Sequence, residues 1–455
     1  MIYSKRVQKK EVRMSYVNRR GNRPVANPSK SSHSYIISDE VVDKYLEKCR
    51  FPKTEDEIDL LEHKVIDFST LSTSKIKNVI AFDGGYLDVV VRKEFPSSRL
   101  CFFQFGALFF KIEDLEGLEE KPFIAPEDMA KLKNIERQKL VVPVKNISFE
   151  KEGTLTHSIR KTIHDFLCEG DNKLAEALKW LIFEEYSSPK ETWRLASCPC
   201  CEKTNIDLMR AEMSIDFTFS CSECHENLYL VDTLRLHEAI DDELGAGGIL
   251  GYLSSALEQL LVVFILKNLS EITPDTVSET LLIKNGPLAF FGQTANLHKP
   301  MRKLCSWFED KYGLILVGLE KSGPFVEHAD AISEKMKCGQ VILLDNEYIY
   351  KYITPGKADP DKPYGSTSYY GHKVIYKTKY GSMYVISLPT KSSLLQVCKE
   401  DFHSFDEALT NIQKLKCDMY DSSLIPVALA NKLVSLSNHP STQILHKFAI
   451  SKVGK

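Results

Sequence analysis

The chain has no apolar run approaching the roughly 20 residues that cross a bilayer; its longest unbroken one is Leu260 to Leu266. Behind the basic start MIYSKRVQKKEVRMSY there is neither an apolar stretch nor a small-residue cleavage site, so no secretory leader is read there. The expectation is a cytoplasmic protein that does not enter a membrane. An excess of one charge is missing too. With 59 Lys+Arg against 62 Asp+Glu among 455 residues, the net charge of −3 gives little sequence-independent affinity for phosphate backbones. Nor is there a Gly-x-x-x-x-Gly-Lys-Ser/Thr loop, so ATP-driven movement has to come from another subunit.

An even disulfide framework is also absent. Five of the twelve cysteines, Cys198, Cys200, Cys201, Cys221 and Cys224, crowd into one short stretch, and the rest are scattered. Pairing Cys198/Cys201 with Cys221/Cys224 gives two CxxC knuckles whose thiolates can converge on Zn²⁺ at about 2.3 Å. Cys200 and His225 are spare donors, so the ligand set can shift by a residue. A closed four-thiolate site has no open position and is structural, stapling an inserted finger expected to touch DNA or a partner.

Composition shifts divide the chain. Residues 1–33 carry nine Lys/Arg against Glu11 alone and read as a basic flexible arm, either a solvated leader or a contact for phosphates or an acidic surface. Residues 34–74 form an N-terminal helical segment, 75–190 the first part of a mixed α/β domain, 191–230 the zinc-ribbon insertion and 231–455 the second part. Runs such as NVIAFDGGYLDVVV and RLCFFQFGALFFK read as strands of one sheet. Residues 157–187 and 230–268 are helical by periodicity, the latter broken at Gly245 to Gly248.

Three positions suggest an oxygen-ligand cation centre. Asp83 ends an apolar strand and is followed by Gly84 and Gly85, which let the backbone turn and a ligand approach; an ordinary turn Asp is the competing reading. Glu258 lies among apolar neighbours in a helix, where a carboxylate is costly unless paired or bound to a cation, or else belongs to an exposed stripe with Gln259. Asn285 ends a second strand, before Gly286-Pro287. Phosphodiester hydrolysis with Mg²⁺ or Mn²⁺ needs such groups from several elements.

The Asp83-Gly-Gly turn, the helix bearing Glu258, the segment KNGPLAFFGQTANLHKPMR from Lys284 to Arg302 and IPVALANKLVSL from Ile425 to Leu436 together resemble the NurA nucleases over roughly residues 75–440. The resemblance implies an RNase H-like mixed sheet flanked by helices, a homodimer, and Mn²⁺- or Mg²⁺-dependent DNA degradation. It also implies work beside a hexameric HerA-like ATPase in DNA end processing or anti-phage defence. Carried over, Asp83 and Glu258 are metal ligands, Asn285 stands where the family has a third carboxylate, and Asn431 where it has a C-terminal His. An Asn brings a carbonyl oxygen but no charge and no base.

Auxiliary candidates are Asp345 as a compensating carboxylate or a turn carboxylate beside Asn346, His372 as a phosphate donor or general acid or an ordinary surface His, and Arg302 and Lys321 as phosphate contacts or solvated cations. The Tyr- and Lys-dense stretch from Tyr348 to Tyr384 is a candidate base-stacking strip, or simply sheet surface. The alternative to a nuclease is a catalytically silent, zinc-stapled adaptor that docks DNA onto the translocase.

Overall fold

The computed structural model describes residues 40–60, 65–116, 135–417, 420, 422–436 and 441–453. It divides into two compact units, 1–51 and 52–455. In the first, the described residues hold the short helix Glu40–Leu46, and the basic arm lies outside them. Everything below concerns the second unit.

Its strands are β1 (Val65–Asp67), β2 (Asn78–Val90), β3 (Arg99–Lys111), β4 (Ile135–Lys145), β5 (Thr192–Ser197), β6 (Thr204–Met209), β7 (Thr218–Ser220), β8 (Asn227–Tyr229), β9 (Thr280–Asn285), β10 (Ile315–Glu320), β11 (Gln340–Leu343), β12 (Gly371–Lys377) and β13 (Met383–Pro389). Its longer helices are α1 (Leu155–Leu167), α2 (Glu169–Ile182), α3 (Leu250–Ile272), α4 (His298–Tyr312), α5 (Pro324–Ala331), α6 (Phe405–Lys414), α7 (Ile425–Val434) and α8 (Ser441–Val453).

One nine-stranded mixed sheet runs β1-β11-β12-β13-β10-β9-β2-β3-β4. The meander β2-β3-β4 is antiparallel, whereas β9 joins β2 in parallel and β10 joins β9 in parallel. The segment expected to be helical over 34–74 therefore contributes a strand, β1, paired antiparallel with β11.

The inner strands are apolar on both faces because both faces are covered. Along β2, Ile80 and Phe82 enter the core shared with α3, while Val79 and Ala81 enter the one shared with α7. The same alternation sends Leu282 to the first core and Leu281 and Ile283 to the second. Helix α3 is long and apolar enough to cross a membrane by length and composition, but most of it is buried inside the fold against β2, β3 and α2.

Two β-hairpins, β5-β6 and β7-β8, carry the cysteines. Their inward residues Leu195, Ile206, Leu208, Phe219 and Leu228 belong to the same core as α1, α2 and α3. The ribbon is thus not a projecting finger; it is built into the body.

Candidate metal centre where strand β9 leaves β2

Pairing between β2 and β9 ends at Phe82 opposite Lys284, but Asp83 does not end its strand: β2 runs on beside β3 through Gly84 and Gly85, which stay extended opposite Phe105 and Gln104 instead of turning the chain. Asp83 and Asn285 are the next residues on each strand, and alternation turns both toward the α7 side. Asn285 Nδ2 donates to Asp83 Oδ1 at 2.7 Å, and the Gly84 amide donates to the same oxygen at 2.8 Å. Asp83 is buried, and its Oδ2 accepts no hydrogen bond among the described residues. Its nearest cation is Lys321, just past β10, with Nζ at 3.8 Å. Gly286 leaves β9 at φ +84°, and its amide donates to the Leu319 carbonyl at 2.6 Å, fixing the turn beneath Asn285.

Glu258 comes to this strand end from the α3 side. Its Oε1 lies so close over Gly84 that a Cβ there would stand 2.6 Å away, so the glycine after Asp83 is required by the glutamate's approach. Its Oε2 is 3.2 Å from Lys284 Nζ, which also donates to the Asn285 carbonyl at 2.6 Å. Burial pushes the Glu258 carboxyl above its ordinary range; the Lys284 ammonium opposes that shift and the Asp83 charge adds to it. The two carboxylates, distant in sequence, thus lie on either side of the Gly84 backbone, Asp83 with the Asn285 carboxamide and Lys321 toward α7, Glu258 with Lys284 toward α3. Lys284 had no sequence signal beyond standing next to Asn285.

The orphan Asp83 Oδ2, with Asn285 beside it, fits a hard cation in donor type, although it offers only one full charge on that side. Asn431 lies on α7, whose end packs over Gly85, with the Val434 carbonyl 3.5 Å from where a Cβ would stand.

The other auxiliary residues go elsewhere. Asp345 is not in a strand: β11 stops at Leu343, and the Asp345 carboxylate caps the following helical turn by accepting from the Tyr348 amide at 2.8 Å. His372 Nε2 accepts from the Leu394 amide at 3.0 Å, and burial, helped by the Arg302 charge, lowers its pKa to about 4. That ring is neutral at ordinary pH with Nε2 taken up as an acceptor, which does not suit a general acid. Arg302 donates to the Tyr369 carbonyl, and burial lowers its pKa. Within the tyrosine-rich strip, Tyr348, Tyr352, Tyr370, Tyr376 and Tyr384 are buried core and Tyr380 is exposed, while the partly exposed rings of Tyr350, Tyr364 and Tyr369 touch in series with centroids 5.7 Å apart, so the strip divides between core and a short aromatic cluster.

The zinc knuckles fold as their spacing requires. The four Sγ atoms of Cys198, Cys201, Cys221 and Cys224 lie within 4.8 Å of one another, with Cys198–Cys224 and Cys201–Cys221 each at 3.9 Å. A tetrahedron with Zn–S of about 2.3 Å has edges of about 3.8 Å, so the donors fit Zn²⁺. Each knuckle closes with a backbone bond, Glu202 N to Cys198 O and His225 N to Cys221 O, both 3.0 Å. Cys200 points away and accepts from Arg160 Nη1 at 3.8 Å, and His225 is exposed.

No family model matches the chain, and no curated protein matches it. Among solved structures, the NurA nuclease from Sulfolobus solfataricus is similar at 9% identity and TM-score 0.34, over 94% of this chain and 98% of that one. A NurA with manganese is similar at 11% identity and TM-score 0.30, over 94% of this chain and 99% of that one. A NurA bound to dAMP and manganese gives 11% identity and TM-score 0.27, over 91% of this chain and 94% of that one. At these TM-scores the function has to be argued from the chain's own residues.

Proposed function

We propose that this protein is a divalent-metal-dependent DNA nuclease on an RNase H-like sheet. The observation that carries this reading is the Asp83–Asn285 pair at the notch where β9 leaves β2, with Asp83 Oδ2 buried and unmatched and Glu258 closing over the adjacent Gly84. The order β4-β3-β2-β9-β10, a meander continued by two parallel strands on the far side of its first, supports the RNase H-like assignment. Asp83 and the Asn285 carbonyl oxygen would hold Mn²⁺ or Mg²⁺, with the Glu258 charge close by. Such a cation supplies an activated water and neutralises charge on the in-line displacement. Lys321, whose side chain is partly open to solvent beside Asp83, is placed to meet a phosphate oxygen.

With a net charge of −3, the chain has little grip on DNA alone, which favours a homodimer fed by a hexameric HerA-like ATPase. The test is degradation of linear duplex DNA by the purified chain in Mn²⁺ and in Mg²⁺, with and without that partner. Activity lost on Asp83→Ala supports this centre, and unchanged activity removes it.

A second reading has its own observation. Lys284 and Lys321 already pair with both carboxylates, and the third position is an uncharged Asn. That balance suits a silent adaptor, and DNA binding without cleavage across metals and partners would favour it.

A further inference from the structure

The charge balance at the strand end is asymmetric. Asp83 faces Lys321 across 3.8 Å, and the Lys321 side chain is 25% exposed, so it can swing out to solvent. Glu258 faces Lys284, whose side chain is 4% exposed and is anchored by its bond to the Asn285 carbonyl. The two carboxylates are therefore unequal. Asp83 keeps a free buried oxygen, whereas Glu258 has Oε2 engaged by an ammonium and Oε1 pressed over Gly84, with the Ser254 hydroxyl at 3.5 Å.

Resting on the reading of this centre as a cation site, we propose that Lys284 is a built-in counter-ion replacing a second divalent ion, so that the centre accepts a single Mn²⁺ or Mg²⁺ on the Asp83–Asn285 side. A divalent ion entering between Glu258 and Asp83 would be driven against a buried, hydrogen-bonded ammonium. Expelling that ammonium would strip it of its carboxylate and carbonyl partners with no water to receive it. An ion on the Asp83 side displaces only the exposed Lys321 head. Lys284 is a positioning residue: its ammonium opposes the desolvation of the Glu258 carboxyl and holds that side chain over Gly84, and it supplies a positive charge where two-metal centres use an ion.

The test is Mn²⁺ binding to the zinc-loaded full chain, counted by electron paramagnetic resonance of free Mn²⁺, with circular dichroism to check folding. Wild type is expected to bind about one Mn²⁺, lost on Asp83→Ala, and Lys284→Met to bind about two, because Glu258 is then uncompensated. Since Lys284→Met leaves a buried carboxylate alone, Lys284→Gln, which keeps a donor for the Glu258 and Asn285 oxygens but no charge, is the second variant should the first misfold, and it too is expected to bind about two ions. Two ions in wild type, or only one in a folded Lys284 variant, overturns the proposal while leaving the nuclease reading intact. No binding in wild type overturns the cation reading and this proposal with it.

Discussion

Arg160 of α1 grips Asp232 with two parallel hydrogen bonds, Nε to Oδ1 and Nη2 to Oδ2, both 2.8 Å, with both side chains buried. The same guanidinium donates to the Asn227 carbonyl at 3.1 Å, and Asp232 accepts from the Tyr229 amide at 2.8 Å. One ion pair thereby ties the end of the zinc ribbon to the helical layer. Asp232→Ala leaves a buried guanidinium uncompensated and should cost about 3–5 kcal/mol. Hydrogen exchange of ribbon amides would report this as accelerated opening. The apolar pair Arg160→Met/Asp232→Leu should cost less than Asp232→Ala alone; a larger cost would show that the pair's charges themselves stabilise the junction.

Zinc content separates ligands from bystanders. Metal analysis of the purified chain should give about one zinc ion per chain. Ser at Cys198, Cys201, Cys221 or Cys224 should abolish it and loosen the ribbon, because the four thiolates meet nowhere else. Cys200→Ser and His225→Asn should retain it; Asn suits the left-handed φ of 61° at residue 225. Zinc lost from Cys200→Ser would mean the first knuckle has shifted by a residue.

Much of this was legible in the sequence because spacing and punctuation are local. The CxxC pairs announced their own geometry, and Asp83 and Asn285 were marked by the glycines that follow them, although only Gly286 ends its strand and β2 runs on through Gly84 and Gly85. Glu258 stood out as a charge in an apolar helix. What escaped depended on which face a residue takes. Lys284 sits beside Asn285 in sequence but alternation sends it to the opposite face, toward Glu258. Asp345 interrupts an apolar run that changes from strand to helical turns, which a short apolar run cannot reveal. The tyrosines of β12 and β13 are strand residues whether they face solvent or core, and here Tyr376 and Tyr384 face the core. The Arg160–Asp232 bond spans 72 residues and leaves no local trace.

Acid should weaken the fold through two histidines. Burial lowers both His372 and His328 from 6.5 to about 4; the first accepts from the Leu394 amide and the second lies 2.9 Å from the Tyr348 hydroxyl. With the folded pKa below the unfolded one, the unfolded chain binds the extra proton as pH falls from about 6.5 to about 4. Stability is lost across that window, by up to about 3 kcal/mol per ring. His372→Gln keeps an acceptor without a titrating group and should flatten the fall in Tm; an unaltered slope would place the acid lability elsewhere.

Glu309 on α4 works with the opposite sign. Buried with Oε1 unmatched, its carboxyl is pushed up to about 8, mainly by desolvation. The folded state holds the proton that the unfolded chain releases above about 4.5. Stability is therefore full below that pH and lost as pH rises toward about 8, by about 3–5 kcal/mol at the upper end. Glu309→Gln carries a pH-independent offset, so the readout is slope: its Tm relative to wild type should climb between pH 5 and pH 8. A constant difference would mean the carboxyl is not held neutral.

Asn285→Asp asks what the uncharged third position costs. The carboxamide donates to Asp83 Oδ1 at 2.7 Å, so a carboxylate there would replace an attraction with two like charges in contact. Without metal the variant should be less stable by about 1–3 kcal/mol, or hold one shared proton between the two side chains. With Mn²⁺ the penalty turns into affinity, because the ion is paid for by a second charge; its dissociation constant should fall about tenfold or more. The two effects are linked, so added Mn²⁺ should raise the Tm of the variant more than that of wild type. A variant as stable as wild type without metal, and no more responsive to Mn²⁺, would show that the end of β9 does not face the ion. The same substitution strengthens metal-dependent cleavage if Asn285 weakens a working nuclease, and creates none if the chain is a silent adaptor.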